Sequence, residues 1–592
     1  MFSAFETWSA LRESEHITRG RYAERGIDNP AFRLMGLLAG KARGTPRDDQ
    51  GTTPLLQSRP NNPTKDATLP QLDMTYFCAK HAANDPNRIA VVDERGATNW
   101  QVLNQNTNRL LHQLRADGIT TGDTIAIMAG NCREYFEILL AATHGGLLCV
   151  PVNWHFTADE LAYVIKDSGA RILFVEDRFV DIARSARDEH GMDQLTRIVQ
   201  VRGAPCELTY YSQWRALGDA SEPENQGLGG PMFYTSGTTG RPKGVRSSSS
   251  RPGGPLASME MMGAGLSAML SIPTDGTTLL CGPVYHSAQW AFSFLPLIAG
   301  STVVMRHKYD AEETLKLIDS HQITNVHLVP TQFHRLLRAP EKARQTFKGD
   351  TLKVVWHGAA PCPHEVKRQM IEWWGPVVQE YYGSTEGSIV STATAQDWMQ
   401  RPGTVGKPSP LVEITIRGDD GAILATGQHG QIYVKNKMGG DFEYHNAPEK
   451  TKSVHLEPGI FTFGDIGYFD AEGYLYLSDR KIDMIISGGV NIYPAEIEGV
   501  LQMHDAVQDA AIFGIPNEEF GEEVKGAVTL IPGVSPSSEL AEELIQWVRS
   551  RLAGYKAPKS IDFEREMPRH ETGKLYKRLL RDRYWQNSER KI

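Results

Sequence analysis

The sequence predicts an α/β protein in which a large N-terminal part is followed by a β-rich segment and a small α+β unit. Short apolar strands such as Ile89–Asp93 alternate with helical stretches, and this alternation is typical of parallel sheets covered on both faces. Between residues 403 and 479, short strand patterns follow one another between turn residues, which favours antiparallel pairing. Beyond Asp479 about 110 residues remain, enough for a separate small domain.

The individual elements follow from the spacing of apolar residues along the chain. Helices are predicted over 74–84, 100–117, 132–145 and 157–168. Strands of the alternating part are predicted at Ile89–Asp93, Thr124–Met128, Leu147–Val152, Arg171–Val175, Thr278–Cys281, Thr302–Met305, Asn325–Val329 and Lys353–Trp356. Those of the β-rich segment are predicted at Val412–Arg417, Gly430–Val434 and Gly473–Leu477.

Three regions are predicted from these elements and from local composition. Residues 1–70 form an N-terminal extension and linker, because residues 41–70 are rich in Pro, Gly, Asn and charge, as extended connectors are. Residues 71–480 form the large domain, and residues 481–592 form the small one. The purpose of the extension is left open.

Composition excludes several classes of protein. The net charge of −9 argues against a nucleic-acid binder, and no apolar run approaches the roughly 20 residues of a membrane-spanning helix. Six cysteines without C-x-x-C spacing suggest neither a zinc site nor disulfides, but reduced thiols. The first residues contain glutamates together with arginines. A signal peptide instead needs an apolar core, and a transit peptide avoids acidic residues. The expected location is therefore the cytoplasm.

The most informative motif is a glycine-rich loop over residues 234–245. Three glycines let the backbone turn tightly around an anion, while hydroxyl side chains and Lys243 add donors and charge. This chemistry suits a nucleotide triphosphate. The spacing differs from the common phosphate loop, because Pro242 precedes the lysine and Gly244 stands where a magnesium-binding Ser or Thr is needed. A P-loop kinase or GTPase is therefore disfavoured.

Three further segments carry polar residues that can serve a nucleotide. Residues 379–387 place an aromatic pair beside Glu386, which can hold Mg²⁺. Asp465 and Arg480 bracket a hairpin and can support a ribose, and Lys574 stands on a glycine turn. Each segment also has a plain structural interpretation: an ordinary turn with a solvated Glu, a turn Asp with a surface Arg, and an exposed lysine.

Taken in order, these motifs resemble the adenylate-forming superfamily of acyl-CoA synthetases, adenylation domains and beetle luciferases. The resemblance covers roughly residues 74–585, and five motifs in the right order make chance agreement improbable. Supporting segments are Gly282–Ser287, Trp356–Pro361, Arg401–Gly406 and Ile485–Ile497.

The resemblance implies a two-step reaction in which ATP converts a carboxylic acid to acyl-AMP and coenzyme A then displaces AMP. It implies catalytic roles for Lys574, Thr385, Glu386 and His286, with Glu386 as the Mg²⁺ ligand. It implies binding of ATP and coenzyme A by Thr235, Ser236, Gly237, Thr238, Thr239, Gly240, Lys243, Gly358, Ala359, Ala360, Tyr382, Gly383, Asp465, Arg480, Gly488 and Gly489.

The resemblance also implies that the small domain is mobile. Its rotation withdraws Lys574 and brings the hairpin around Gly488 to the pantetheine arm. The usual pivot, two residues beyond Arg480, is polar in the family but is Ile482 in this chain, so Lys481 and Asp483 are alternative hinge residues. Trp290 and the residues after Glu386 are expected to line the acyl pocket.

The expected activity is an acid–thiol ligase of fatty-acid or lipid metabolism that acts on a fatty, aryl or steroid side-chain acid. Alternatives are an acyl-AMP ligase that loads a carrier protein, a non-catalytic binding protein on the same fold, and an oxygen-using luciferase relative. The chain ends eighteen residues after Lys574 without a fused carrier domain, which favours a CoA ligase. The acid and the oligomeric state, a homodimer included, are left open.

Overall fold

The structure is a computed structural model that describes residues 77–235, 241–248, 251–480, 483–488, 490–569 and 575–585, with the backbone alone at Arg480. Several predicted features lie outside the described residues: the extension 1–70, the loop residues Ser236, Gly237, Thr238, Thr239 and Gly240, the hinge candidates Lys481 and Ile482, Gly489, and Lys574.

The largest sheet joins the parallel and antiparallel parts of the chain. Across the sheet its strands are Val412–Arg417, Gly430–Asn436, Ile460–Phe469, Leu475–Arg480, Thr404–Pro408, Ser388–Ala393, Val378–Ser384, Val354–His357, Asn325–Leu328, Thr277–Leu280, Thr302–Met305, Ile89–Asp93 and Gly96–Asn99, with His455–Glu457 beside Ile460–Phe469. The strands from Val378–Ser384 to Ile89–Asp93 pair in parallel. The other pairs are antiparallel.

A second sheet is entirely parallel, and two smaller sheets follow. The parallel sheet runs Thr209–Tyr210, Arg197–Gln200, Ala170–Val175, Thr124–Met128, Leu148–Pro151 and Gly230–Pro231. An antiparallel sheet contains Phe442–Tyr444, Lys243–Ser247 and Phe233–Thr235. The C-terminal sheet contains Val490–Ile492, Ile485–Ser487, Gly521–Leu530 and Val507–Asn517, with Ser560–Phe563 parallel to Gly521–Leu530.

Helices cover the parallel sheets and the C-terminal sheet. They span Phe77–Asn84, Trp100–Ala116, Arg133–His144, Ala158–Ser168, Val180–His190, Tyr211–Arg215, Ala257–Met269, Ser287–Ala299, Ala311–Ser320, Pro330–Leu337, Glu341–Thr346, His364–Trp374, Ala395–Gln400, Pro448–Val454, Pro494–Leu501, Ser538–Arg549 and Lys577–Arg581, with 3₁₀ turns at Asp177–Phe179 and Gly554–Lys556. None of the described helices has the length and apolar character needed to cross a bilayer.

Local sequence signals explain where these elements begin and end. The helix Ala158–Ser168 begins at a capping box in which Thr157 and Glu160 satisfy each other's backbone N–H groups, and it ends at Gly169 in the left-handed conformation. The largest core cluster packs buried aromatic residues, including Trp100, Phe136 and Phe294, between helices and sheets.

The α/β prediction is confirmed, and most predicted strands lie within one or two residues of their observed bounds. One strand is displaced. The pattern predicted Gly473–Leu477, but Gly473 has φ of +80° and closes a turn, so the strand is Leu475–Arg480. The six cysteines are free in the structure. The domain limits at 71–480 and 481–592 remain predictions.

Candidate active site

Predicted site residues follow three of the parallel strands of the large sheet. His286 comes after Thr277–Leu280, Gly358 after Val354–His357, and Thr385 after Val378–Ser384. Because the carboxyl ends of parallel strands meet at one edge of a sheet, ligands of α/β folds bind there. The fold therefore brings residues about a hundred positions apart to one edge.

The glycine-rich loop connects two antiparallel strands. Thr235 pairs with Lys243, and Phe233 pairs with Val245. A phosphate loop of the common kind leads from a strand into a helix, whereas this loop leads into a second strand. The exclusion of a P-loop enzyme, which rested on spacing, thus agrees with the pairing of the flanking strands.

Lys243 stands at the end of this loop in a positively charged setting. Partial burial lowers the pKa of its ammonium group, and the like charge of Lys450 lowers it further. Two lysines near one loop favour a ligand with several negative charges.

The loop hairpin is anchored to two other elements through Asp167. The Tyr234 hydroxyl donates to Asp167 Oδ2 at 2.7 Å. The main-chain oxygen of Asp167 lies 3.0 Å from both His445 Nε2 and Asn446 Nδ2. No local pattern indicates this anchor, because its members are far apart in the chain.

A tight turn presents Thr385 and Glu386. The Ser384 hydroxyl accepts hydrogen bonds from the backbone N–H groups of Glu386 and Gly387, both at 3.1 Å. A Cβ at Gly383 would lie 2.0 Å from the Ser388 oxygen, so only glycine fits the strand crossing before the turn.

Glu386 is held by Tyr444, a residue that belongs to none of the sequence motifs. The Tyr444 hydroxyl donates to Glu386 Oε1 at 3.0 Å. No cluster of three or more His, Cys, Asp or Glu side chains suited to a metal occurs within the described ranges. A single carboxylate nevertheless fits Mg²⁺, since this ion takes one or two carboxylates together with phosphate oxygens and water.

Thr385 connects the turn to the segment that contains His286. Its hydroxyl lies 2.8 Å from the hydroxyl of Ser287, the first residue of the helix Ser287–Ala299. His286 itself is half-buried, and its ring lies 4.1 Å from that of Tyr285. The residue next to His286 is therefore in contact with Thr385.

Tyr382 and Asp465 also meet. The Tyr382 hydroxyl donates to Asp465 Oδ2 at 2.6 Å, and Asp465 faces Arg480 across the antiparallel pair of strands. The backbone thus forms the predicted hairpin, with Asp465 opposite Arg480. The Tyr382 hydroxyl links this hairpin to the strand Val378–Ser384 of the same sheet.

The segment Gly358–Ala360, which was predicted to hold adenine, follows the strand Val354–His357. A Cβ at Gly358 would lie 2.7 Å from the Tyr381 ring, so the close approach requires glycine. Ala359 has φ of +66° and is exposed. A non-glycine residue in the left-handed region is strained, and such residues concentrate at functional sites.

An aromatic cluster, formed by Phe292, Trp356 and Tyr381 with Ala288 and Ile389, lies next to the segment Gly358–Ala360. Its three aromatic residues are buried, and the rings of Phe292 and Tyr381 are 5.3 Å apart. Ile389 is one of the residues after Glu386 that were expected to line the acyl pocket.

Trp290, the other residue expected at that pocket, packs in a different place. Its ring contacts Phe233 and Phe294 in the core of the large domain. Its role at the pocket stays a prediction, and Phe292, which the sequence analysis did not single out, lies in the aromatic cluster.

A buried histidine braces this cluster. His327 Nε2 lies 3.1 Å from the Tyr381 hydroxyl and Nδ1 lies 2.9 Å from Gln289 Nε2. Burial lowers the pKa of His327 to about 3. The ring is therefore neutral at physiological pH, and it adds no charge to the apolar surroundings.

In the small domain, Gly488 occupies the exposed turn of a hairpin between Ile485–Ser487 and Val490–Ile492. It has φ of +57°, and its N–H donates to the Phe520 oxygen at 2.9 Å. The predicted glycine hairpin is thus present.

The strands around the glycine-rich loop pair as a hairpin, and Asp465 pairs with Arg480, so the described parts of the motifs predicted to bind a nucleotide are present in the fold. The chain matches the model of the AMP-binding enzyme family over residues 78–439 and that of the AMP-binding enzyme C-terminal domain over 496–574. It therefore belongs to the adenylate-forming superfamily, in the acyl-CoA synthetase branch, and is an acid–thiol ligase.

Relatives of similar length support this assignment. The chain is 30% identical to a fatty acid–[acyl-carrier-protein] ligase of Streptomyces coeruleorubidus, over 88% of this chain and 99% of the relative. It is also 30% identical to a long-chain-fatty-acid–CoA ligase of Bacillus subtilis, over 91% and 99%. The solved o-succinylbenzoate CoA synthetase of Bacillus subtilis, in complex with its acyl-adenylate, superposes with a TM-score of 0.72 at 28% identity, covering 85% and 97%.

Proposed function

We propose that the protein converts a hydrophobic carboxylic acid, such as a fatty, aryl or steroid side-chain acid, to its CoA thioester with ATP. The hydrogen bond between Ser287 and Thr385 carries this proposal, because it joins the segment next to the apolar cluster to the turn next to the nucleotide. Acid and nucleotide must meet at such a junction for one to react with the other.

In the first step the acid carboxylate attacks the α-phosphorus of ATP. The bond between the α-phosphorus and the bridging oxygen breaks, and pyrophosphate leaves with both electrons of that bond. In the second step the sulfur of coenzyme A attacks the acyl carbonyl carbon, and AMP leaves. Positioning and charge stabilisation supply most of the rate enhancement in such phosphoryl chemistry.

The roles of individual residues in this proposal are those that the family resemblance implies. The loop from Thr235 to Lys243 holds the β- and γ-phosphates, and Thr385 contacts the α-phosphate. Tyr382, Gly383 and the segment Gly358–Ala360 hold adenine, while Asp465 and Arg480 hold the ribose. Lys574 bridges the carboxylate and the α-phosphate.

Three further roles complete the assignment. Glu386, oriented by Tyr444, holds Mg²⁺, which when bound neutralises phosphate charge. His286 lies where the acyl group meets the thiol. Gly488 and Gly489 border the path of the pantetheine arm.

The aromatic cluster supports a hydrophobic acid. Ala288 and Ile389 are partly exposed over the buried rings of Phe292, Trp356 and Tyr381 and offer an apolar surface. His327 behind the rings is neutral because burial lowers its pKa to about 3. An apolar acyl group gains free energy when it leaves water for such a surface, about 25 cal/mol per Å². A cytoplasmic location and a homodimer remain predictions.

The experiment that tests the proposal is a screen of pyrophosphate release across carboxylic acids, with ATP and Mg²⁺. Each acid is assayed alone, with coenzyme A, and with a phosphopantetheinylated carrier protein. We expect release with hydrophobic acids and a thioester with coenzyme A. A thioester on the carrier protein alone would identify the carrier-loading alternative, and no release with any acid would contradict an adenylating function.

Replacement of Tyr382 by phenylalanine tests the assignment of the nucleotide side. We expect the KM for ATP to rise about tenfold, because a hydrogen bond to a charged group contributes roughly 1.5–3 kcal/mol and Asp465 loses one. The kcat should change much less. Steady-state kinetics measures both.

The matched control is Tyr474→Phe. The Tyr474 hydroxyl also donates to an aspartate, Asp397 Oδ1 at 2.7 Å, but it does so outside the candidate site. An equal rise of KM in both variants would show that the effect is a general loss of stability.

A further inference from the structure

The segment Gly358–Ala360 keeps an unfavourable backbone conformation at its centre. Ala359 has φ of +66°, in the left-handed region, and is exposed. A non-glycine residue stays in such a conformation only where the surrounding structure holds it there. The side chain of Ala359 is a single exposed methyl group and supplies little of this restraint. The two ends of the segment must therefore hold it.

The N-terminal end of the segment lies opposite Glu380. His357, the residue before Gly358, is the direct partner of Glu380 across two parallel strands, and its Nε2 lies 3.8 Å from Glu380 Oε2. Burial lowers the pKa of His357 well below its usual range, and the charge of Lys367 lowers it further. The imidazole is therefore neutral and does not balance the charge of the Glu380 carboxylate.

The C-terminal end of the segment leads to the same carboxylate. The helix His364–Trp374 begins shortly after Ala360. Lys367 of this helix is fully buried and forms a salt bridge with Glu380 Oε2. Its Nζ also lies 4.9 Å from the centre of the Trp398 ring. The salt bridge thus ties the start of the helix to the strand that contains Glu380.

Both ends of the segment therefore meet at one buried carboxylate. Glu380 also stands two residues before Tyr382, whose hydroxyl donates to Asp465. A buried carboxylate is tolerated where a cation pairs with it, and Lys367 is that cation. Without the salt bridge the helix and the strand can move apart, and the segment between them loses the restraint on its shape.

We propose that Lys367 is a positioning residue for nucleotide binding, because its salt bridge with Glu380 joins the two ends of the segment Gly358–Ala360. This restraint keeps Ala359 in the left-handed conformation. The inference rests on the proposed function, in which the segment holds adenine. Lys367 is fully buried, so it acts through the shape of the segment and not by contact with the nucleotide.

Lys367→Met tests this role through the binding of AMP. The methionine fills a similar volume but offers no charge to Glu380. We expect the Kd for AMP, measured by isothermal titration calorimetry, to rise about tenfold, as it does when a binding shape is adopted about a tenth of the time. The KM for pyrophosphate, measured in ATP formation at saturating synthetic acyl-AMP, should stay within about twofold of the wild type. Pyrophosphate has no base for the segment to hold.

Ala359→Gly separates positioning from a loss of stability. Glycine adopts the left-handed conformation readily, so the segment no longer needs the salt bridge to keep its shape. We expect Ala359→Gly/Lys367→Met to bind AMP within about threefold of Ala359→Gly alone, because effects within one interaction are not additive. Its melting temperature should stay as low as that of Lys367→Met, since Glu380 is still buried without a cation.

A second background keeps the experiment decisive if Lys367→Met does not fold. Lys367→Met/Glu380→Gln removes both charges, so no unpaired charge is buried. We expect most of the melting temperature to return, while the Kd for AMP stays about tenfold above that of the wild type because the helix and the strand are still not tied. Ala359→Gly should restore AMP binding in this background as well.

Arg215→Met serves as the control for stability. Arg215 pairs with the buried carboxylate of Glu137, and both residues lie on helices outside the candidate site. Its replacement also leaves a buried carboxylate without its cation. We expect the melting temperature to fall and the Kd for AMP to stay at the wild-type value. A rise of the Kd equal to that in Lys367→Met would overturn the positioning role.

The outcomes separate this inference from the proposed function. Three results would each overturn the positioning role alone: unchanged AMP binding in Lys367→Met, the same loss of affinity with and without Ala359→Gly, or full recovery of AMP binding in Lys367→Met/Glu380→Gln. A wild-type protein that binds AMP but releases no pyrophosphate with any acid would contradict the proposed function, and AMP binding would still decide the role of Lys367. A wild-type protein that does not bind AMP would contradict both.

Discussion

Lys574→Ala is expected to abolish acyl-AMP formation while leaving acyl transfer from preformed acyl-AMP to coenzyme A largely intact. The carboxylate and the α-phosphate repel each other, and a compact ammonium group between them removes that repulsion. Loss of such a charge should slow the step at least about 1000-fold, or ~4 kcal/mol. Pyrophosphate release measures the first half-reaction, and thioester formation from synthetic acyl-AMP measures the second.

Lys559→Ala is the matched control for this experiment. Lys559 is an exposed lysine of the same domain, so its removal changes the net charge equally without touching the site. Parallel losses of the two half-reactions in Lys574→Ala would contradict its assignment to the adenylation step. A similar loss in Lys559→Ala would assign the effect to overall charge.

Local elements were predictable from the sequence because their signals are local. The strands Ile89–Asp93, Thr124–Met128 and Thr302–Met305 have the predicted bounds, since each is a short apolar run flanked by residues that end a strand. Gly473 shows the limit of this reasoning. Its positive φ places it in a turn, and composition alone does not distinguish a turn glycine from the first residue of a strand.

The contacts that assemble the candidate site could not be predicted in the same way. Tyr444 and Glu386 are 58 residues apart, and Ser287 and Thr385 are 98 apart. Neither pair follows any period of a helix or a strand. The order of the strands in the large sheet brings Ser287 to Thr385, and the packing of the small antiparallel sheet beside it brings Tyr444 to Glu386. No local pattern encodes either arrangement.

Buried charges were missed for a related reason. Lys367 is fully buried and pairs with Glu380 beneath the strand that leads to Tyr382. On a helix a lysine predicts an exposed face, and only the neighbouring strand supplies the carboxylate that makes burial tolerable. Lys577 and Glu498 repeat this situation in the small domain.

The proposed site residues lie in two domains, and we relate each domain to a different one of the two proposed half-reactions. Thr385, Glu386 and Asp465 lie on the large sheet or in turns beside it, whereas Gly488 lies on a separate hairpin. The two steps can use two different arrangements of the domains. A rotation of the small domain between the first and the second step would change one arrangement into the other. Variants of the two domains should then affect different steps.

Gly488→Leu is expected to block thioester formation and to spare pyrophosphate release. Gly488 has φ of +57°, and a Cβ there would lie 3.1 Å from the Phe520 ring. Leucine therefore adds bulk and roughly 1–2 kcal/mol of backbone strain at the turn proposed to border the pantetheine arm. We expect thioester output to fall about 100-fold, as misplaced reacting groups do. Pyrophosphate release in a single turnover should stay near the wild-type rate.

Gly533→Leu provides the control for backbone strain. Gly533 also has a positive φ, +94°, and lies in a small-domain turn with open space around its Cβ position. Leucine there imposes a similar backbone cost but stands away from the hairpin of Gly488. If both variants lost thioester formation, strain in the small domain would explain the result. If Gly488→Leu formed thioester normally, the hairpin would not border the pantetheine path, and the thiol would have to reach the acyl-AMP by another route.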